Sequence, residues 1–301
     1  MSGALGSAPE PDAKAVLQGR VVAVLNIGSG NCDAESASQV EAVFDQAGLA
    51  HAKVVSVEPE DLDKALDDAV THSDVLVVLG GDGTISAAAG RCGDGGPLLI
   101  PLPGGTMNML PKALYGERSW RDALTDTLSS PRIHNVSGGK ADDRPFFCVA
   151  ILGAPSLWAQ AREAARRGDL VEAVKRSITA ARRSLSDALE YDFGGGLTGS
   201  AEAVIVICPA ISKTMNENER TLEVAAVDTE TAAGLFGLAF HAAFDDWRNG
   251  AAVSLAKAKK IRVTGHGEVP VILDGETVRM GRTVGISFVP LAFRALVPAE
   301  R

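Results

Sequence analysis

The sequence predicts two domains of different class: an α/β domain whose parallel sheet carries helices on both faces, then an all-β, sandwich-like domain with helical insertions. The first prediction rests on short apolar runs that alternate with stretches of helical periodicity up to about residue 130. The second rests on later apolar runs that are mostly joined by turns or irregular stretches. We therefore place the domains at residues 1–130 and 131–290, with a loose Gly/Ser/Ala/Pro leader over residues 1–18.

Composition excludes several classes of protein. The chain has 301 residues, of which 46% are hydrophobic and 22% charged, as is typical of globular proteins. Its net charge of -9 argues against non-specific nucleic-acid binding, which needs a basic surface. No apolar run approaches the ~20 residues of a spanning helix, and the N-terminus has no basic region typical of a signal peptide. We expect a cytoplasmic protein whose four well-separated cysteines are free thiols.

Each predicted element of the first domain follows from a local pattern. Four apolar runs are typical of buried strands, and three of them end at glycine-bearing turns. The segments between the runs have apolar residues at helical spacing. The predicted strands are Arg20–Leu25, Lys53–Val57, Val75–Leu79 and Pro97–Leu102. The predicted helices are Glu35–Ala47, Asp61–Val70, a helix capped by Thr84, a helix ending at Leu114, and Trp120–Leu128.

The stretch Val75–Thr84 organises this domain. Five apolar residues run directly into Gly80-Gly81-Asp82-Gly83-Thr84. The glycines allow a sharp turn and a close approach of backbone to ligand, and the helix after them turns free N–H groups toward the same point. Such a turn is a candidate anion site. The Asp82 carboxylate lies inside this turn. A negative charge at an anion site is explained if a cation bridges the carboxylate to the anion, or if the carboxylate receives a proton.

Two further turns follow strands of the same predicted sheet. They are Asn26-Ile27-Gly28-Ser29-Gly30 and Pro103-Gly104-Gly105-Thr106-Met107-Asn108. Ligands of parallel sheets bind at the carboxyl ends of the strands, where all three turns fall. We therefore expect the three turns to converge on one site.

The second domain contains predicted strands and two predicted helical insertions. The strands are Phe146–Leu152, Ala203–Cys208, Leu222–Val227, Lys260–Thr264, Val269–Leu273 and Val284–Val289. The insertions are 154–189, which is rich in Arg and Lys, and 232–247. The basic residues of the first insertion form either a solvated helical face or a contact with anionic lipid headgroups, chiefly through Arg166, Arg167, Lys175 and Arg176.

Four motifs in this order resemble those of the diacylglycerol kinase catalytic family, which includes sphingosine kinases and bacterial lipid kinases. They are Asn26–Gly30, Gly80–Thr84, Gly105–Asn108 and Asp274-Gly275-Glu276. The resemblance implies a lipid kinase that uses ATP and Mg²⁺, with its active site in a cleft between the domains and residues 291–301 returning to the first. It also implies a place at the membrane surface, such as the inner face of the cell membrane.

The resemblance and the chemistry of phosphoryl transfer together assign roles. Glu276 is the favoured proton acceptor with Asp274 in support, although a base role for Asp82 stays open; Asp82 is also the candidate Mg²⁺ ligand. The predicted nucleotide-binding residues are Asn26, Gly28, Ser29, Gly30, Ser56, Gly80, Gly81, Asp82, Gly83, Thr84, Gly105, Thr106 and Asn108.

Three positions depart from the family pattern. Ala87 and Met109 stand where acids are usual, and Glu219-Arg220 replaces an Asp-Gly pair that helps to hold a structural magnesium. Two alternatives therefore stay open beside the lipid kinase. One is a lipid- or nucleotide-binding module of the same fold with impaired catalysis. The other is an NAD kinase, since that family shares the Gly-Gly-Asp-Gly-Thr turn.

Overall fold

The computed structural model describes residues 12–33, 35–153, 188–216, 218–227 and 253–299. The chain divides into two compact units, one formed by residues 1–135 with 293–301 and the other by residues 136–292. Most of insertion 154–189, with its four named basic residues, and all of insertion 232–247 lie outside the described residues. Within the described residues, no helix is both long and apolar enough to span a bilayer.

The first unit alternates strands and helices, as the sequence predicts. Its helices are α1 (Ala13–Val16), α2 (Ser36–Gln46), α3 (Leu62–His72), α4 (Asp82–Cys92), α5 (Met109–Tyr115) and α6 (Trp120–Ser129). Its strands are β1 (Val21–Asn26), β2 (Lys53–Val57), β3 (Val75–Gly80), β4 (Leu98–Pro103), the start of β5 (Pro131–Ala141) and the end of β16 (Thr283–Pro298).

The sheet of this unit has the order β2-β1-β3-β4, with the end of β16 beside β4. All of these pairs are parallel. The chain crosses the sheet in one direction from β1 to β2, and in the opposite direction from β2 to β3 and β4. Because crossovers between parallel strands are right-handed, the helices of the first connection and of the later ones lie on opposite faces of the sheet. Accordingly α2 contacts α6, and α3 contacts α4. β3 lies between covered faces, so all six of its residues are buried.

The second unit consists of antiparallel strands. After the rest of β5 they are β6 (Arg144–Phe146), β7 (Val149–Gly153), β8 (Leu189–Asp192), β9 (Thr198–Ala201), β10 (Ala203–Ile207), β11 (Leu222–Val227), β12 (Val253–Ala258), β13 (Lys260–Thr264), β14 (Val269–Leu273), β15 (Glu276–Met280) and the first part of β16. One sheet has the order β12-β11-β10-β7-β14-β15, and the other contains β16-β13-β8-β9 with β5 and β6.

One hydrophobic core joins the two sheets of this unit. It contains Leu152, Val204 and Val271 from the first sheet together with Val263 and Val284 from the second, all buried. The two sheets therefore pack face to face, and the predicted fold class, an α/β domain plus an all-β sandwich-like domain, is confirmed. The four cysteines are buried and form no disulfide, which agrees with the prediction.

Three predicted boundaries in the later part of the chain differ from the structure. The predicted strand Val284–Val289 is the first part of β16, which continues to Pro298. The predicted strand Phe146–Leu152 is interrupted between β6 and β7, because the N–H groups of Phe147, Cys148 and Val149 all donate to the Asp274 carboxylate. Leu189, predicted as the end of a helix, instead begins β8. Strands β5, β8, β9, β12 and β15 were not expected from the sequence.

Candidate functional site

The Gly80–Thr84 turn leads directly from β3 into α4. The helix begins at Asp82 with Gly81 as its N-cap, three residues earlier than the sequence suggests. Thr84 is therefore not a cap but a residue of the first helical turn, and it is buried. As at any helix start, the first-turn N–H groups of α4 lack acceptors within the helix, so they can bind an anion.

The first turn, Asn26–Gly30, is fastened to the α4 turn by side-chain hydrogen bonds. Asn26 Nδ2 donates to Thr84 Oγ1 over 2.8 Å, and the Gly81 N–H donates to Ser29 Oγ over 3.1 Å. The Asn26 carboxamide oxygen also accepts the Gly28 N–H at 3.0 Å. Because the Thr84 and Ser29 hydroxyl oxygens each already accept a hydrogen bond from the protein, their own hydrogens are directed elsewhere and can be donated to a ligand.

The third turn lies against the α4 turn through backbone alone. The Gly104 N–H donates to the Gly80 carbonyl over 2.8 Å. A Cβ on Gly104 would lie 2.8 Å from Gly80 N, and one on Gly105 would lie 2.7 Å from Gly81 Cα. Only glycine at these two positions permits the approach. The predicted convergence of the three turns is present in the structure.

Asp82 links the α4 turn to the start of α5. Its two carboxylate oxygens accept the N–H groups of Asn108, over 2.9 Å, and Met109, over 2.6 Å. Asn108 is the N-cap of α5 in a left-handed conformation, with φ 53°, and its side chain closes the turn by accepting from Gly105 N and donating to Gly105 O. The start of α5 is thus capped internally, and the first turn of α4 remains as the anion cradle.

Asn31 is a residue of this site that sequence reasoning missed. Its backbone N–H donates to Gly104 O over 2.9 Å and its Nδ2 donates to Gly105 O over 3.0 Å, so it joins the first turn to the third. The only sequence signal was a polar residue directly after Gly30. Its partners lie more than seventy positions away along the chain, and no local pattern identifies them.

The remaining predicted nucleotide-binding residues lie on the same edge of this sheet. Ser56 is exposed on β2 and pairs in register with Leu25, one residue before the first turn. Gly30 and Thr106 are exposed, and Gly83 is half-buried in the first turn of α4. These positions surround the cradle without contributing to the hydrogen bonds that hold the three turns together.

The Asp274-Gly275-Glu276 motif belongs to the second unit and forms a two-residue hairpin between β14 and β15. Asp274 and Gly275 have φ of 47° and 95°, as the tightest hairpin turns require. The buried Asp274 carboxylate accepts three successive backbone N–H groups at 2.7–2.9 Å, those of Phe147, Cys148 and Val149. Glu276, at the start of β15, is exposed. Asp274 therefore anchors the turn that presents Glu276.

The three departures from the family pattern have distinct surroundings. Ala87 is half-buried in α4, and Met109 is half-buried at the start of α5. Glu219 forms an ion pair with Lys257, whose Nζ lies 2.6 Å from Glu219 Oε2. The hydrogen bond from Lys257 lowers the pKa of Glu219 below its ordinary value. No described residues form a group of three or more His, Cys, Asp or Glu side chains able to hold a metal ion.

The chain is similar to one family model and to several solved structures. Residues 20–141 match the family model described as diacylglycerol kinase catalytic domain, which confirms the resemblance inferred from the motifs. A solved structure of a diacylglycerol kinase from Bacillus anthracis is 16% identical with a TM-score of 0.69, covering 93% of this chain and 97% of its own. A putative diacylglycerol kinase from the same organism is 19% identical with a TM-score of 0.68, over 92% and 96%.

A more distant likeness is to an NAD kinase from Archaeoglobus fulgidus, solved in complex with ATP. It is 12% identical with a TM-score of 0.51, and the match covers 93% of this chain and 94% of that one. At these identities the three structures establish a shared fold and nothing finer.

Proposed function

We propose that the chain, whose residues 20–141 match the family model of the diacylglycerol kinase catalytic domain, is an ATP-dependent lipid kinase. It transfers the γ-phosphate to a hydroxyl group of a diacylglycerol-like or sphingoid lipid. The observation that carries the proposal is the convergence of three glycine turns at the carboxyl ends of β1, β3 and β4, with Asp82 bonded into their junction.

The cradle suits the phosphates of ATP. Glycines at 80, 81, 104 and 105 keep Cβ atoms away from the turns, and the first turn of α4 offers N–H groups along its axis. The hydroxyls of Ser29 and Thr84 each accept one protein N–H, so their hydrogens are available to phosphate oxygens. Binding in this cradle would fix the nucleotide before transfer, which is where most of the catalytic gain in phosphoryl transfer arises.

The residues present are compatible with Mg²⁺ at Asp82. Each of its carboxylate oxygens accepts one N–H and retains a lone pair for a cation or for a water bound to one. When bound, Mg²⁺ would neutralise the charge on the phosphates. Asp82 itself would do two things: hold the third turn in place and present its remaining lone pairs to the cation.

We assign the acceptor chemistry to the hairpin of the second unit. The Asp274 carboxylate accepts three backbone N–H groups and supports the turn, whereas the exposed Glu276 carboxylate takes the proton of the lipid hydroxyl. The lipid oxygen then forms a bond to the γ-phosphorus, the bond between that phosphorus and the β–γ bridging oxygen breaks, and ADP leaves. The resemblance motivates this division of roles, and the hydrogen bonds of Asp274 favour it.

The test is ATP consumption by the pure protein with Mg²⁺, across micelles of diacylglycerol, sphingosine, ceramide and monoacylglycerol, with NAD as a separate arm. We expect turnover that depends on one lipid class. Glu276→Gln keeps the shape of the side chain and should lower kcat by about 10²–10⁴-fold with little change in the KM for ATP. The matched control is Glu268→Gln, which alters an exposed glutamate directly before β14 that pairs with Arg279 of β15, and it should retain activity.

A second candidate is the non-catalytic binding module, which Ala87 and Met109 favour. The half-buried Met109 thioether follows Asn108 at the start of α5 and is no ligand for Mg²⁺. ATP binding without turnover on any lipid would support the module and contradict the kinase. Phosphorylation of NAD would instead assign the chain the activity for which its more distant structural neighbour, the NAD kinase, is named.

The lipid contact through Arg166, Arg167, Lys175 and Arg176 remains a separate prediction, since these residues lie outside the described ones. Neutralising all four should weaken binding to vesicles that contain anionic lipid, by about 1 kcal/mol for each residue that lies near the surface. Unchanged vesicle binding would contradict it.

A further inference from the structure

The loop between β10 and β11 is the place where the family resemblance leads one to expect a structural magnesium. Here Glu219 has both carboxylate oxygens engaged. Oε2 accepts a hydrogen bond from Lys257 Nζ over 2.6 Å, and Oε1 accepts one from the Asn216 N–H over 3.3 Å. The Asn216 side-chain oxygen is also in use, because it accepts the Asn218 N–H over 3.0 Å. The Glu219 carboxylate and the Asn216 side-chain oxygen thus accept hydrogen bonds from the loop itself and from one lysine.

Lys257 is held beside this loop by the register of the sheet. It lies on β12 directly opposite Glu223 of β11, and Glu223 is buried and accepts a hydrogen bond from the Ser212 hydroxyl. The backbone position of Lys257 is therefore fixed by its pairing with Glu223, which carries a second carboxylate. The Glu219 side chain is only 24% exposed, so the pair is partly shielded from water.

A magnesium ion does not fit this arrangement. Mg²⁺ requires near-octahedral oxygen ligands at about 2.0–2.1 Å, several of them water. An ammonium 2.6 Å from Glu219 Oε2 already occupies the approach to that carboxylate and would repel a divalent cation. Among the described residues, which include this loop except for position 217, no group of three or more His, Cys, Asp or Glu is able to bind a metal.

We propose that the Lys257 ammonium supplies, as a covalent part of the chain, the positive charge that a structural magnesium would provide, and that this loop binds no divalent cation. The pair is charged at neutral pH, because the hydrogen bond from Lys257 lowers the pKa of Glu219. The consequence is a second unit whose stability is independent of Mg²⁺, so that any magnesium requirement of the protein arises at the nucleotide. The proposal does not depend on the protein being an active kinase.

The test is thermal denaturation of the full chain without nucleotide, in EDTA and in millimolar MgCl₂. An Asp82→Asn background removes the other predicted magnesium ligand. We expect the same Tm in both buffers. Lys257→Gln should lower Tm by about 2 °C, whereas Lys260→Gln, at an exposed lysine on β13 that forms no ion pair within the described residues, should not. Glu219→Lys combined with Lys257→Glu should recover Tm relative to Lys257→Glu alone, because a direct pair tolerates exchange of its charges.

Three results would overturn the proposal. A rise of Tm in MgCl₂ that Glu219→Gln abolishes would show that the loop does hold a divalent cation. An equal Tm for Lys257→Gln and Lys260→Gln would show that the pair with Glu219 does not support the loop. If Glu219→Lys combined with Lys257→Glu has no higher Tm than Lys257→Glu alone, the two side chains do not stabilise the loop as a direct ion pair. That result would be expected of a metal site, because the double variant has lost the Glu219 carboxylate as a ligand.

Discussion

The contact between Gly81 and Gly105 can be tested with two alanine substitutions at glycines that face each other. A Cβ on Gly105 would lie 2.7 Å from Gly81 Cα, whereas a Cβ on Gly81 would lie 3.7 Å from Gly105 Cα. Neither glycine has a positive φ, so alanine can adopt the existing backbone at both positions. The two variants therefore differ in the space available for one methyl group.

The expected cost follows from the geometry. Carbon atoms pack favourably at about 3.5–4.0 Å, so Gly105→Ala must move the third turn away by roughly 1 Å. Overpacking of this kind costs about 1–3 kcal/mol, which corresponds to a fall in Tm of roughly 3–10 °C. The movement would lengthen two hydrogen bonds of that turn, from Gly104 N to Gly80 O and from Asn31 Nδ2 to Gly105 O. Gly81→Ala should stay within about 0.5 kcal/mol of wild type.

The assay is thermal denaturation of both variants beside the wild type, with ATP affinity measured by calorimetry. Gly105→Ala should lower Tm and should also weaken ATP binding, because the cradle opens as the turns separate. Equal Tm shifts for the two variants, or a Tm for Gly105→Ala indistinguishable from wild type, would refute the reasoning that the close approach of the two turns requires glycine at 105.

The remaining predictions concern single hydrogen bonds and ion pairs of the first unit. Asn31→Ala should raise the KM for ATP several-fold with a loss of stability of about 1 kcal/mol or less, since one hydrogen bond to the third turn is lost; an unchanged KM would contradict the linking role. Arg20 lowers the pKa of Asp74 to about 2, below the ~3.9 of an unfolded chain, so the pair stabilises the fold above about pH 4 and its contribution disappears as pH falls through 2. Asp74→Asn should therefore cost about 0.5–1 kcal/mol at neutral pH, discounted for the exposure of the pair, and close to nothing once the pH is below 2, as measured by urea denaturation. Tyr115→Phe should cost about 1 kcal/mol, because the buried hydroxyl donates to Leu296 O over 3.2 Å; equal urea midpoints would contradict that.

The pattern of apolar residues predicts much of the fold, because a strand that packs against the core must carry apolar residues on its buried face. The predicted bounds of β2, β11, β13 and β14 coincide with those in the structure, since each run is apolar on at least the face that packs inward. Strand β9, Thr198–Ala201, carries no such pattern, because three of its four residues are exposed at the edge of a sheet. Edge strands of this kind are defined by their partner rather than by their own sequence.

The site is predictable only as far as its local turns. Three glycine turns at strand ends predict convergence, because the carboxyl ends of parallel strands share one edge of the sheet. The bonds that fix the turns to one another join Asn31 to Gly105 and Asp82 to Met109, across long stretches of chain. Periodicity and spacing contain no information about such pairs. For the same reason the break at Phe147 could not be foreseen, as its cause is Asp274, 127 positions later.

The two motif aspartates share a property that the sequence does not reveal. Asp82 accepts two backbone N–H groups and Asp274 accepts three, so each carboxylate fixes the backbone of a segment distant in sequence. Each of these aspartates therefore has a structural role beside its glycine turn, whatever its role in catalysis. Its carboxylate accepts hydrogen bonds from several N–H groups that a turn leaves without partners. Replacement by asparagine removes one acceptor oxygen and sets an amide donor against an N–H. Loss of activity in Asp82→Asn or Asp274→Asn would consequently not identify a metal ligand or a base. The substitution that separates chemistry from architecture is Glu276→Gln, since Glu276 is exposed at the end of the hairpin that Asp274 holds.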